Sequence, residues 1–375
     1  MLKGINLTLM IGPAVPLPVS KAVLDALVSV EVTAKTDGPS VFQLKFTIDK
    51  RSPLATLFML TGGAQIPLVR VVIFVTINGS TEVLMDGVMT DHQITPGSSS
   101  EQPTLTISGE DLTRVMDYLD LTGLPYPAMP PEARVLLAVA KYAIFGVVPV
   151  VIPSVLIDVP IPTDRIPRHQ GTDLSYVRSL ADDVGYTFYV EPTPQPGVSV
   201  AYWGPELRVG LPQKALNIDM DAQTNVESVN FSFDSEHKEL PVLLIMAPFL
   251  NIPLPIPIPD ITPLSPPLGL IPPIPKKVRW LNKTAKYSAA QAALIGLAKA
   301  SKTSDAVGAS GSVDVLRYGQ VLKPRRLVGI RGAGLAFDGL YFIKSVTHSI
   351  KRGEFKQNFT AARNGLISTF SRVPA

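Results

Sequence analysis

Four histidines, His92, His169, His237 and His348, are the first candidates for general-base or metal chemistry, and they stand far apart. None belongs to an HExxH helix, in which two imidazoles one turn apart reach a single zinc ion. Cysteine is absent, which excludes disulfide scaffolds, thiolate metal sites and cysteine nucleophiles. His348 lies in Thr347-His348-Ser349, within a stretch that reads as a strand, and Gly311-Ser312 is not a nucleophile elbow. We read His348 as a histidine at a core edge or an interface. Two carboxylate pairs remain. Asp182 and Asp183 are consecutive on a helix, so their side chains diverge by about 100°. Asp219 and Asp221 read as one face of a strand, without the further oxygen ligands that a calcium loop requires. Both pairs are expected on solvated surface. Gly329, Gly332 and Gly334 in VGIRGAGLAFDG match neither GxGxxG nor a Walker loop and read as a tight turn. Tyr186, Phe188, Tyr189, Tyr202 and Trp203 lack the interleaved basic residues of a nucleic-acid stacking platform and read as core. The residues therefore imply no catalytic, cofactor-binding or metal site, no enzyme and no nucleic-acid sequence recognition.

The bulk numbers point to assembly. Only 17% of the 375 residues are charged, the net charge is +3, and mean hydropathy is +0.26. A chain this apolar and this weakly charged is expected to hide surface against partners. The length implies two or three domains. The N-terminal run MLKGINLTLMIGPAVPLPVS carries Pro13, Pro16 and Pro18 and no small-residue cleavage site, so it reads as mature structure. The sequons at Asn6, Asn78, Asn282 and Asn358 matter only in a secretory pathway. The uncharged run YAIFGVVPVVIPSVLI, 16 residues long with Pro149 and Pro153, falls short of the about 20 apolar residues of a spanning helix. Membrane contact is not expected.

These residues sit on a mostly β framework. VSVEVTAK and VFQLKFTID alternate at period two, and Asn78-Gly79 joins PLVRVVIFVTI to TEVLMDGVMTDHQIT as a hairpin. A helix is expected from Ser52-Pro53 to Leu60, a strand in PTLTISG and a helix in EDLTRVMDYL. Further helices are expected over 131–146, in the Thr172-capped TDLSYVRSLADDVG ending at Gly185, and in SAAQAALIGLAKAS. KTSDAVGASGS reads as a flexible run. Strands are expected in YTFYVEP, VSVAYWG, KALNIDMD, VESVNFSFD, VDVLRYG, RRLVGIRG, GLYFIKSVTHSI and EFKQNFTAA, with a Lys351-Arg352-Gly353 loop closing the last hairpin. Residues 241–275 stand out: 12 of 35 are proline and Asp260 is the sole charge. PLPIPIPD suggests extended polyproline-like chain, apolar enough to lie against another surface.

Three ordered stretches resemble the phage late control D family, the central hub proteins of contractile tails, which is similar to the hub part of type VI secretion VgrG spike proteins. The first runs from Val83 to Asp117, with Gly87, Ser108-Gly109 and Asp111 opening a helix. The second, His169 to Pro192, is a capped helix with Gly185 running into an aromatic strand. The third, Leu327 to Gly365, carries Asp338-Gly339, Tyr341, Val346-Thr347-His348, Gly353, Phe359 and Arg363-Asn364 where the family has its closing hairpin.

The resemblance implies an α+β, mainly β fold with two similar tube-type β-barrel domains. Residues 1–110 would form one, and 205–240 plus 308–375 the other. An intermediate α/β domain would occupy 111–204, and a proline-rich apolar insertion with a helix 241–307. It implies a homotrimer with pseudo-sixfold symmetry that joins an inner tube protein to a separate spike protein and meets other baseplate subunits. It would assemble in the bacterial cytoplasm and end in the baseplate of a phage tail or injection system. The chain ends soon after the hairpin, at SRVPA, so a fused spike is not expected. Segments 142–162 and 241–275 look enlarged against the family. Leu254, Ile256, Ile258, Leu264, Leu268 and Ile271 are expected to contact a partner. A tail-associated cell-wall hydrolase and a membrane-associated protein built on the two apolar segments are the rival readings.

Overall fold

The computed structural model describes residues 5–48, 68–97, 102–154, 163, 166–236, 238–246, 253–258, 265–280, 295–297, 300 and 304–370. Along the chain run β1 (Ile5–Gly12), β2 (Leu17–Pro18), the short helix α1 (Lys21–Ala26), β3 (Leu27–Lys35), β4 (Val41–Thr47), β5 (Arg70–Ile77), β6 (Ser80–Thr95) and β7 (Thr104–Asp111). A middle stretch holds α2 (Pro131–Ala140), β8 (Val147–Val151), α3 (Asp173–Asp182), β9 (Thr187–Pro192) and β10 (Ser199–Gly204). Then come β11 (Gln213–Asn217), β12 (Ser228–Phe233), β13 (Glu239–Met246), β14 (Pro253–Pro257), β15 (Gly269–Ile271) and β16 (Lys277–Trp280). The last part holds β17 (Val307–Asp314), the helical turn α4 (Val315–Tyr318), β18 (Leu327–Arg331), β19 (Gly339–Lys351), β20 (Glu354–Arg363) and β21 (Leu366–Ser368).

Period-two patterning sets the sheet faces. Along β4, Phe42, Leu44 and Phe46 are buried while Gln43 and Lys45 are exposed. Turn chemistry sets the hairpins. Asn78 (φ 50°) and Gly79 (φ 83°) both take the left-handed conformation that a two-residue type I′ turn demands.

Thirteen strands form one continuous sheet. Its two halves have the same order. In the first, neighbours run β1-β5-β6-β7-β4-β3, and in the second β11-β18-β19-β20-β17-β12. Taken along the sequence, each strand of one half has its counterpart at the same place in the other. The third strand of each order carries a bulge, at Thr90 in β6 and at Lys344 in β19. The first pair differs, antiparallel for β1–β5 and parallel for β11–β18. Two cores line the sheet, one around Phe42, Leu44, Phe46 and Ile73, which Val315, Val321, Ile350 and Phe355 of the second half join, the other around Tyr341, Ile343, Val346 and Phe359. The halves join where Ser345–Lys351 of β19 pair antiparallel with Lys35–Ser29 of β3.

The middle stretch is a separate layer. β8, β10 and β9 make a three-stranded sheet, and α2 and α3 contribute Val135, Val139, Val177 and Leu180 to a core with Trp203 and Phe188. The aromatic group expected to be core is largely so: Phe188 and Trp203 are buried, and Tyr189 stacks on Tyr202.

Described parts of the proline-rich segment are paired chain. β14 forms a hairpin with β13, and β16 lies parallel on β13's other side. Ile258 N–H donates to Pro241 O at 3.0 Å, so even-numbered residues turn their N–H toward β13. Pro253, Pro255 and Pro257 then fall at outward positions of an edge strand, where a missing donor costs no ladder bond. Further on, β15 pairs with β21, and Asn364 Oδ1 accepts from Leu268 N and Gly269 N, both at 2.9 Å.

Several local expectations are corrected. The helix expected at 110–119 is a 3-10 helix over Leu112–Asp117, and the helix expected over 131–146 is α-helical only to Ala140, then 3-10 over Lys141–Phe145. Part of the run read as flexible is β17, whose small residues let neighbouring strands approach: a Cβ on Gly311 would lie 2.2 Å from Ser228 O. VDVLRYG, read as a strand, turns helical at Val315 because Asp314 caps Leu316 N and Arg317 N. Asp219 and Asp221 do not share a strand face. β11 ends at Asn217 and both take positive φ, 47° and 46°. The helix expected from Ser52 lies outside the described residues. So does most of SAAQAALIGLAKAS, of which 295–297 and 300 are helical.

Two glycines show how tightly β6 and β7 pack. A Cβ on Gly87 would lie 2.2 Å from Glu110 O, and one on Gly109 2.3 Å from Val88 O and 2.4 Å from the Phe42 ring. Gly87→Ala is therefore expected to cost about 2–3 kcal/mol in urea unfolding, since backbone must move. A cost within about 0.5 kcal/mol would contradict this packing.

Candidate functional site

No group of three or more His, Asp or Glu among the described residues is placed to hold a metal ion. Among the described residues, no helix is long and apolar enough to cross a membrane. The structured chemistry is instead a set of buried polar joints where the half-sheets and the middle layer meet.

The first joint is Arg70–Asp86. Arg70 Nε and Nη2 donate to Asp86 Oδ1 and Oδ2 at 2.7 and 2.6 Å, a bidentate pair with both residues buried. Arg70 also donates to Ala14 O (2.8 Å) and Gly197 O (2.9 Å), and Ser199 Oγ donates to Asp86 Oδ2 (3.0 Å). β5 and β6 are thereby bound to the start of β10. The second joint is Arg325, in the left-handed region (φ 59°). It donates to Lys35 O at the end of β3, lies over the Tyr189 ring at 4.0 Å, and approaches Glu191 at 3.8 Å. One side chain so touches both half-sheets and the middle layer. The third joint is Asp305, bound by Arg208 at 2.5 and 3.1 Å and by Lys344 at 2.8 Å. Burial opposes ionisation, but Arg208 and Lys344 hold its carboxyl below the usual range. A cleft of about 320 Å³ lies among these parts, lined by Glu82, Asp111, Glu191, Lys323, Arg325 and His348. Its charges are mixed, which suits a joint between layers better than an anion or cation site.

The positions singled out by the family pattern fall into separate places. Gly87, Gly109 and Asp111 lie together on β6 and β7. Asp111 accepts from Ser40 N (2.6 Å), Thr113 N (3.0 Å) and Thr113 Oγ1 (2.5 Å), capping the 3-10 helix, while burial pushes its carboxyl up. Asp338, Gly339, Tyr341 and Arg363 form a second group. Arg363, fully buried, donates to Asp338 O (2.8 Å) and Ala336 O (2.5 Å) and stacks over Tyr341 at 4.6 Å. Asp338 Oδ1 accepts from Ala333 N at 2.7 Å, so the glycine-rich loop is a turn closed on itself. A Cβ on Gly339 would meet Arg363 Nη1 at 2.4 Å. Gly185 (φ 72°) follows the end of α3, Gly353 (φ 84°) sits in the β19–β20 turn, and Phe359 is core.

His348 is buried, and its Nδ1 lies 3.0 Å from Gln357 Nε2, whose amide clasps Leu322 N and O at 2.9 Å each. Burial pushes its pKa down to about 3, so it is neutral in the fold. Of the insertion residues, Ile258 and Leu268 are buried within the chain, Leu268 against Leu327, Leu340 and Phe342. Ile271 is 54% exposed, Leu254 and Ile256 lie on β14, and Leu264 is outside the described residues.

Sequence reasoning missed Arg70, Asp86, Arg208 and Arg325. For the first two the signal was present: Arg70 is the lone charge in PLVRVVIFV, as Asp86 is in VLMDGVM. A charge alone in an apolar strand needs a buried partner, and the hairpin turn sets the two strands side by side. Arg208 and Arg325 pair across gaps of sequence that carry no such marker.

With this geometry in hand, the solved structures that the chain resembles can be compared. The tail protein from Neisseria meningitidis matches with a TM-score of 0.62 at 14% identity, over 97% of this chain and 98% of that one. The 43 kDa tail protein of prophage MuSo2 from Shewanella oneidensis matches with a TM-score of 0.63 at 12% identity, over 96% and 98%. An Escherichia coli component of the type VI secretion system, described as structurally similar to T4 bacteriophage tail proteins gp27 and gp5, matches at 0.51 and 14%, over 93% and 76%. No family model and no curated protein matches the sequence. The chain has the fold of phage tail proteins and of a type VI secretion component, mainly β with an α/β layer.

Two outcomes test the joints. Arg70→Met should cost about 3–5 kcal/mol in urea unfolding because it strands a buried carboxylate, and a loss under about 1 kcal/mol would contradict a closed joint. His348, neutral in the fold with its pKa below the unfolded value of about 6.5, stabilises above that pH and loses the contribution as pH falls toward 3. The stability gap between the parent and His348→Gln should therefore narrow across that window.

Proposed function

We propose that this chain is a structural baseplate hub of a contractile tail or injection system. Its two half-sheets act as two tube-type barrel domains, residues 1–110 and 205–240 plus 308–375. Three copies form a ring of six similar units, one face seating a sixfold inner tube and the other a threefold spike. The ring gives the first tube subunits their template, so its action is geometric. The observation that carries the reading is the repeated strand order within one chain. A protein with two like units per chain can present six like surfaces with threefold symmetry. End-to-end similarity to tail proteins supports it. The buried joints support it too, because a ring that passes load between tube and spike needs its layers fixed.

Light scattering on the purified chain should give three copies per particle, and the particle should capture both tube and spike proteins of its own system. A strict monomer that captures neither would overturn the reading. Turnover of peptidoglycan by the isolated chain would favour the wall hydrolase instead.

A further inference from the structure

The fold repeats a joint whose second copy is left half-made. In the chain, the C-terminal half of β19 is paired on both sides: β20 on one, β3 on the other. Its counterpart in the first half-sheet is the C-terminal half of β6. There β7 pairs with Met89–Thr95 on one side, while the β5 ladder ends at Val88. Among the described residues no strand occupies the other side of 90–95. The counterpart of β3 is β12, which among the described residues pairs with β17 alone and forms the end of the sheet. One chain thus holds a complete β19–β3 joint and both separate edges of an equivalent one. Unpaired edges are surfaces that folds normally cover or blunt.

The two bulges fix the correspondence. Ile343 and Ser345 flank one, opposite Ala361 and Thr360; Met89 and Asp91 flank the other, opposite Gly109 and Ser108. Ser345 therefore corresponds to Asp91, Thr347 to Gln93 and His348 to Ile94. Gly109 faces Phe42, which faces Val32, and Ala361 faces Ala309, which faces Phe231. Val32 then corresponds to Phe231, Thr33 to Ser232 and Ala34 to Phe233.

We infer that β12 of one copy docks antiparallel on residues 90–95 of β6 in the next copy, in the register of the internal joint. Thr347 opposite Thr33 becomes Gln93 opposite Ser232. His348 opposite Val32 becomes Ile94 opposite Phe231, and Val346 opposite Ala34 becomes His92 opposite Phe233. Burial agrees. Val32, Val346 and His348 are buried at the internal joint, whereas Ile94 is 41% and Phe233 43% exposed on the free edges. The occupant is a second copy because the chain carries both edges, and the joint is head-to-tail, the kind of contact from which a ring of the proposed three copies is built when the rotation between copies closes. Asp91 falls opposite Asp234 at the ladder's end, a like-charge contact that weakens it modestly. This inference rests on the proposed ring and adds its contact strands and register.

Cysteines test it, since the chain has none. Thr33 Oγ1 and Thr347 Oγ1 lie 3.0 Å apart, and opposite residues have Cα atoms about 4.5–5.5 Å apart, within disulfide reach. The full chain carrying Gln93→Cys and Ser232→Cys, oxidised at assembling concentration, should run on a denaturing gel as two- and three-chain species. Each single variant should stay one chain, and mixing the two should yield two-chain species only. Ile94→Lys should shift the particle toward monomer, and Asp91→Asn should lower the concentration at which it assembles. A three-copy particle that gives no linked chains overturns the inference and leaves the hub reading standing. A strict monomer overturns both, and a disulfide that closes within one chain overturns the inference.

Discussion

The structure depends on one ladder, the seven antiparallel pairs between Ser345–Lys351 and Lys35–Ser29. It makes the two half-sheets one sheet of thirteen strands, and it lets Ile350 and Phe355 of the second half pack into the core of the first. Arg325 reaches Lys35 O only because β3 lies beside β19, and it then anchors Tyr189 of the middle layer. The bulge at Lys344 is part of the same device. It divides β19 into a part that pairs with β18 and a part that pairs with β3, so one strand serves two neighbours on one side.

The joints around that ladder share a logic. Each buries an arginine: Arg70 is met by Asp86, Ala14 O and Gly197 O, Arg208 by Glu206 and Asp305, and Arg325 by Lys35 O. Such groups are costly to bury and more costly to half-satisfy. They contribute little net stability, and they penalise every other docking angle of the layers. A protein whose role is to hold a fixed geometry under load benefits from that selectivity more than from a larger apolar interface.

Much of the fold was legible in the sequence. Alternation marked β3, β4 and the β19–β20 hairpin, and Asn78-Gly79 marked the first hairpin because only a left-handed turn fits there. The errors have a common cause. In β17 small residues hide a strand because close packing, which local pattern does not record, is what they serve. At 314–318 a capping aspartate turned apolar residues into a short helical turn. In the proline-rich segment composition suggested polyproline-like chain lying against another surface, while the alternate spacing of Pro253, Pro255 and Pro257 fits an edge strand. The ladder between β3 and β19 was not legible, since it joins residues some three hundred positions apart.

The central claim is that the two half-sheets of each chain act as like units of one ring. Averaged electron micrographs of the purified particle, viewed down its axis, test this most directly. The account predicts a closed ring with six similar lobes that alternate under threefold symmetry. A twofold particle, or a ring whose two lobes per chain lie at different radii, would contradict it.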